Sequence, residues 1–445
     1  MSSEMPEIKD NDDAEDLLQE IYDEKVPQHS VISKRDFKPW HNPRKHWVRI
    51  HQLCSLAQRL FKDIKLPDDT VRYLTLPGEE LLDIQALQAI AKAEAENPLD
   101  IQPPEITAKA GTEELLDIQA VQGTLEGVKG KSLKLKYIGF NNVGKNKNRI
   151  AAQEHTESFL KDMETIHQSS RIINGLVQNI ANEQSDSYMY VRDNGPYNII
   201  NLDLCSCIAE QRPPSENSTY FDAIGKILEL QRAQMSQPFM MFIATRTEPQ
   251  DIQPDSLKKI ISVYDNNFKE NAEFKRKFEE LVVQQAEELL NRLRAGDTVP
   301  QEALNKVFGV GLGKWLLHLM KPNPPHWDVT LEHICCYSIG SYEDNMLSLA
   351  FKFTQVNVGI LDRIGLIKMV TGVKTQKTEA ELATEMLEKC ETIINVDTLL
   401  QSDSVQKDKI IAQTGRLLGN AGYSAEHYTD WANSLFLSPQ ISATG

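Results

Sequence analysis

The stretch Tyr197-Asn-Ile-Ile-Asn-Leu-Asp-Leu-Cys-Ser-Cys207 constrains the fold more than any other part of the chain. Gly195-Pro196 turns into it, an apolar run ends on Asp203, and polar loop residues follow at once. Short apolar runs bounded by turn residues mark strands buried in a parallel sheet. An acid at the carboxyl end of such a strand stands where open α/β sheets bind ligands.

Other segments fall into place around this strand. Val71-Arg-Tyr-Leu-Thr-Leu76 reads as a strand, Pro77-Gly78 as a tight turn, and Glu79-Glu80 as the acidic opening of a helix, where acids complement the dipole. Leu133 to Asn141 is a second strand, followed by a basic loop to Arg149 and a helix from about Ile150 to Ile166. Arg171 to Val177 is a weaker third strand. A helix over about 220–234 precedes the apolar run Pro238 to Arg246, and a long helical stretch is expected from Ser256 to about Ala295. Leu331–Ile339 and Met346–Val356 flank a polar turn and read as an antiparallel hairpin. The sequence therefore predicts an α/β fold, a seven-stranded, mostly parallel Rossmann-like sheet with a C-terminal antiparallel hairpin and helical extensions. The expected organisation is an acidic tail over 1–30, the α/β unit over 31–357 and a helical region over 358–445. The α/β unit carries insertions at about 89–130 and 255–325.

The first insertion contains a repeat: Glu79-Glu-Leu-Leu-Asp-Ile-Gln-Ala-Leu87 returns as Glu113-Glu-Leu-Leu-Asp-Ile-Gln-Ala-Val121. Two full copies are too few for a solenoid, so a local duplication is expected.

Charge bounds the partners. A net charge of -16 opposes general coating of nucleic acid but leaves room for one local basic site. The best candidate is Lys34 to His51, where Arg44, Lys45 and Arg49 interleave with Trp47; cations neutralise phosphates and aromatics stack on bases. The competing reading is a lead-in helix whose tryptophans pack on the core and whose cations face water. No apolar run approaches the roughly 20 residues of a membrane span, and no signal-peptide pattern is seen. The six cysteines form no CxxC pair, which suits a reducing cytoplasm.

Two rival constellations carry less. His333, Cys335 and Cys336, with Cys205 and Cys207, lack the paired spacing of a four-ligand site, so no metal is expected and the thiols read as buried small hydrophobes. Gly309-Val-Gly-Leu-Gly313-Lys314 has Trp315 where a phosphate loop needs Ser or Thr, and reads as a flexible helix entry.

The order strand, glycine turn, helix, strand, weak strand, strand ending in acid, helix, strand and hairpin resembles the class I S-adenosylmethionine-dependent methyltransferases. The resemblance covers about Trp47 to Val356. It implies that Pro77, Gly78, Glu79 and Asn141 surround S-adenosylmethionine, and that Asp203, in Asn201-Leu-Asp-Leu204, orients the methyl acceptor. Departures from the family accompany it: one glycine in the donor loop, an amide (Asn141) in place of the ribose-binding acid, and no Asn-Pro-Pro-Tyr motif. The chain is also similar to bacterial methyltransferase-like proteins encoded among antiviral defence genes, without a motif that carries the likeness. Two functions follow as expectations: a methyltransferase of unknown acceptor, or a degenerate methyltransferase-fold scaffold that binds nucleic acid or a protein partner.

Overall fold

The computed structural model describes residues 36–88, 133–210, 218–340, 342–356 and 377–437. The acidic tail, the second repeat copy and the rest of the 89–130 insertion lie outside these residues. The sheet has eight strands in the order β3-β2-β1-β4-β5-β7-β6-β8. They are β1 (Thr70–Thr75), β2 (Lys134–Asn141), β3 (Arg171–Asn174), β4 (Ile199–Asp203), β5 (Phe239–Arg246), β6 (His326–Ile339), β7 (Tyr342–Val356) and β8 (Ile394–Asn395). All run parallel except β7, which is antiparallel to both β5 and β6. The seven strands expected from the sequence are present, and their order is that of a Rossmann-like methyltransferase sheet. β8 is an addition that two residues within a helical, polar stretch did not signal.

Why β4 sits centrally follows from its burial. Ile199, Ile200 and Leu202 are buried, so both faces of the strand need cover. One face packs with Leu74, Ile138, Met241 and Phe351 under the helices Tyr220–Gln234 and Gln301–Met320. The other packs with Tyr73, Tyr137 and Phe242 under the helix Ser55–Asp63 and the helix over 82–88.

The long helix expected from Ser256 is four helices: Pro254–Ser262, Asp265–Glu270, Ala272–Val282 and Ala286–Ala295. Asn271 breaks the run by capping, its side chain accepting from Phe274 N at 3.0 Å. Val283 then ends the third helix in a left-handed conformation, φ 53°. The glycines 309–313 do not open a helix but lie inside Gln301–Met320. A Cβ on Gly311 would stand 2.5 Å from Ile260 Cγ2, and one on Gly313 2.5 Å from Met386 Sδ. Their function here is close helix packing, which a larger side chain would prevent.

Among the described residues no helix is long and apolar enough to cross a membrane.

Candidate functional site

In a parallel sheet the carboxyl ends of the strands share one rim. Register places Thr75 of β1 beside Gly139 of β2 and Asn201 of β4, and Asn141 beside Asn174 of β3. Gly78 (φ +67°), Asn141 and Asp203 therefore lie along a single rim, with Tyr337 at the same end of β6. Pro77-Gly78 turns the chain as the sequence predicts, but Glu79 and Glu80 precede the helix over 82–88 rather than opening it.

Over this rim lies the amino-terminal segment. Asn42 caps the short helix Pro43–Val48, its Oδ1 accepting from Arg44 N, and the backbone continues as a π-helical turn, Arg49–Cys54, into the helix Ser55–Asp63. This strap turns its cations inward. Arg44, Lys45, Trp47 and Arg49 are each at most 8% exposed. Lys45 Nζ is 2.9 Å from Asp203 Oδ1, and Arg44 pairs with Asp397, both partners buried. Burial alone would lower the Lys45 pKa, but the Asp203 carboxylate, helped by Cys205, holds it above the ordinary lysine value. Trp47 stacks on His51, ring centroids 4.8 Å apart, and packs in a cluster with Cys335 and Tyr337. Cations so placed meet a phosphate backbone only if the strap leaves the sheet.

Further along the rim several polar groups are also committed within the chain. Glu80 accepts from Trp40 Nε1 at 3.1 Å and Tyr423 OH at 2.9 Å, and His41 Nε2 lies 3.3 Å away. Glu79 pairs with Arg149 from the basic loop. The Asn141 amide donates to Gln153 Oε1 at 2.9 Å. Asp83, in the first repeat copy, accepts from Tyr73 OH, Thr75 Oγ1 and Asn201 Nδ2, tying the helix over 82–88 to β1 and β4. Sequence reasoning missed Asp83, yet a signal existed: it is the acid inside Leu81-Leu-Asp-Ile84, whose apolar residues are all buried. An acid flanked on both sides by apolar residues is drawn inside with them and then requires internal donors.

The carboxyl-terminal helices Ser404–Asn420 and Ala425–Leu437 clamp the strap. Tyr428 OH donates to His41 O at 2.7 Å, Phe37 stacks on Tyr423, and the Arg44 guanidinium lies over the Phe436 ring at 4.6 Å.

The thiols and His333 are explained by the same packing. His333, Cys335 and Tyr337 alternate on the face of β6 that meets the strap, and Gln52 Nε2 lies 3.2 Å from His333 Nδ1 and donates to Ser348 O at 3.2 Å. Cys335 and Cys336 are buried, as is Cys207 beyond β4, but Cys205, expected to be buried with them, is exposed on the loop that follows Asp203. Among the described residues no group of three His, Cys, Asp or Glu side chains could hold a metal ion. Burial and the Lys409 charge push His51 down to about 4; burial, with the Lys389 charge, does the same to His333. Burial, reinforced by Arg49, also lowers His46 well below its ordinary value.

These depressed histidines give stability a pH dependence. His51 and His333 bind protons near pH 6.5 in the unfolded chain and only near 4 in the folded one, so their contribution to stability is full above about 6.5 and is lost as pH falls toward 4. Between pH 7 and 5 the expected loss is about 2 kcal/mol, discounted for the partial exposure of His51 and His333. Urea denaturation should show a visibly flatter pH slope in His51→Gln/His333→Gln.

A family model, PP_RS20740-like, matches residues 34–97 and 111–433. The chain belongs to the PP_RS20740-like family. The PP_RS20740-like match takes in the strap, every strand of the sheet and the clamping helices as far as residue 433. No curated protein and no solved structure matches the chain.

Proposed function

We propose that this protein is a methyltransferase-fold scaffold that acts by binding, with the rim where its relatives in architecture would hold S-adenosylmethionine sealed by its own strap. The observation that carries this reading is the Lys45–Asp203 ion pair at 2.9 Å, between a lysine that is 8% exposed and the acid ending the central strand. The residues present do not fit the donor. A bound donor would need free hydrogen-bonding groups beside the β1 turn and at the end of β2. There Glu79 is paired, Glu80 is enclosed by Trp40, His41 and Tyr423, and Asn141 is bonded to Gln153. Displacing the strap exposes or strands buried charges, and breaking one such pair costs about 3–5 kcal/mol.

A second reading, a methyltransferase whose strap withdraws, is favoured by the strand order and by the common rim of Gly78, Asn141 and Asp203. It requires that Pro77, Gly78, Glu79 and Asn141 become available to the donor and Asp203 to an acceptor. Calorimetric titration with S-adenosylmethionine separates the two. The scaffold reading expects no saturable heat; saturable binding weakened by Asp203→Ala would favour methyl transfer.

A further inference from the structure

At the opposite end of the sheet from the strap, the amino-terminal ends of β1, β2 and β3 gather cations. Arg72 of β1 stands directly opposite Lys136 of β2, and Lys134, two residues earlier, shares that face because strand side chains alternate. Neighbouring strands lie about 4.8 Å apart, so Arg72 and Lys136 are close like charges, an arrangement that costs stability. Arg171 opens β3, the outermost strand, and its guanidinium lies over the Tyr190 ring at 5.2 Å. Lys134 and Arg171 are exposed, and Arg72 and Lys136 are partly so. Arg72 Nη1 donates to the Gly195 carbonyl at 2.7 Å, which fixes its position and leaves its charge uncompensated. Among the described residues none of these four cations has a carboxylate at ion-pair distance. The acids at this end pair elsewhere or stand apart from them: Glu157 holds Lys161, Asp193 holds Arg192, and Asp68, Asp69, Asp162 and Glu164 lie on the segments that lead into β1 and β3 without an ion pair to any of the four. His167, on that loop, registers the local field: burial lowers its pKa, and the charges of Lys136, Lys134 and Arg72 lower it further. Beside the cations a cleft of about 330 Å³ is lined by Gln168, Ser170, Arg171, Ile172 and Tyr190.

We infer that this edge, centred on Arg72, Lys134, Lys136 and Arg171, is a binding surface for single-stranded nucleic acid. Four cations with no ion-paired carboxylate among the described residues, three of them felt at His167, form a local positive site in a protein of net charge -16, and such a site attracts a polyanion. Phosphates supply counter-anions for these cations, and the Arg171–Tyr190 stack beside this cleft offers a π-surface to an unpaired base. The inference names a partner for the binding function proposed above and rests on that reading. The donor titration and the oligonucleotide titration nevertheless give separate answers, since they probe opposite ends of the sheet.

The test is fluorescence anisotropy of the full chain with a labelled single-stranded oligonucleotide, from 50 to 200 mM salt. The variant Lys134→Glu/Lys136→Glu/Arg171→Glu should weaken binding at least about tenfold and reduce the slope of log affinity against log salt by about 2. The charge-matched variant Lys258→Glu/Lys259→Glu/Lys269→Glu should change both little. If the triple reversal fails to fold, the corresponding glutamine variants give the same comparison with a smaller loss. Absence of oligonucleotide binding by the unaltered protein, or equal loss in both variants, would overturn the inference. So would patch-dependent binding of polyglutamate as tight as that of the oligonucleotide, which would point to an acidic protein instead.

Discussion

Lys45→Ala is expected to cost about 3 kcal/mol of stability, because it leaves the Asp203 carboxylate largely buried and without its cation. The number sits at the low end for a buried pair since Asp203 keeps 20% of its side-chain surface. The loss is a property of the orphaned partner more than of the attraction itself. Asp203→Asn in the Lys45→Ala background should therefore restore part of it, and the double-mutant cycle should give a coupling of about 1.5 kcal/mol or more. Urea denaturation of the four proteins measures this. A loss below about 1 kcal/mol for Lys45→Ala would mean that the pair is solvated and the strap loosely held.

An effect at least as large, about 4 kcal/mol, is expected for Arg44→Ala. Asp397 is bonded on both sides: its Oδ1 faces Arg44, and its Oδ2 accepts from Ser338 N at 2.7 Å, just beyond Tyr337 on β6. Arg44 also covers the ring of Phe436 in the last helix. One side chain thus joins the strap, the end of β6 and the carboxyl-terminal helices, and its removal strands a buried carboxylate and uncovers an aromatic ring. Limited proteolysis should cut within 404–437 faster in this variant than in the unaltered chain. Arg44→Lys should recover only part of the stability, because an ammonium lacks the planar fork that bonds a carboxylate and stacks on a ring at once.

The strands were legible because their apolar runs are short, nearly unbroken and bounded by turns. Ile199–Asp203 and Phe239–Arg246 bury almost every residue, as parallel central strands must. The hairpin was legible from its polar turn. The strap was not, for a physical reason. Arg44 and Lys45 look like a solvated basic face until their acids are known, and Asp397 and Asp203 come from distant parts of the chain. Local charge density says nothing about a partner brought in by the fold. Of the two readings weighed for Lys34–His51, the packing of Trp47 agrees with the lead-in helix, but its cations turn inward where that reading put them in water. The helix breaks at Asn271 and Val283 were hidden for a different reason: a charged, amphipathic run keeps its periodicity across a cap. The glycines at 309–313 were misplaced because a small-residue contact and a flexible turn have the same composition, and only Ile260 and Met386 distinguish them.

The proposed closure of the rim is tested most directly by titrating the intact protein with S-adenosylmethionine while following amide hydrogen exchange over residues 43–54. A sealed rim predicts no saturable heat and exchange in the strap as slow as in β4, unchanged by the donor. Saturable binding, with strap exchange altered by the donor, would contradict it and return the chain to the methyltransferases that its sheet resembles.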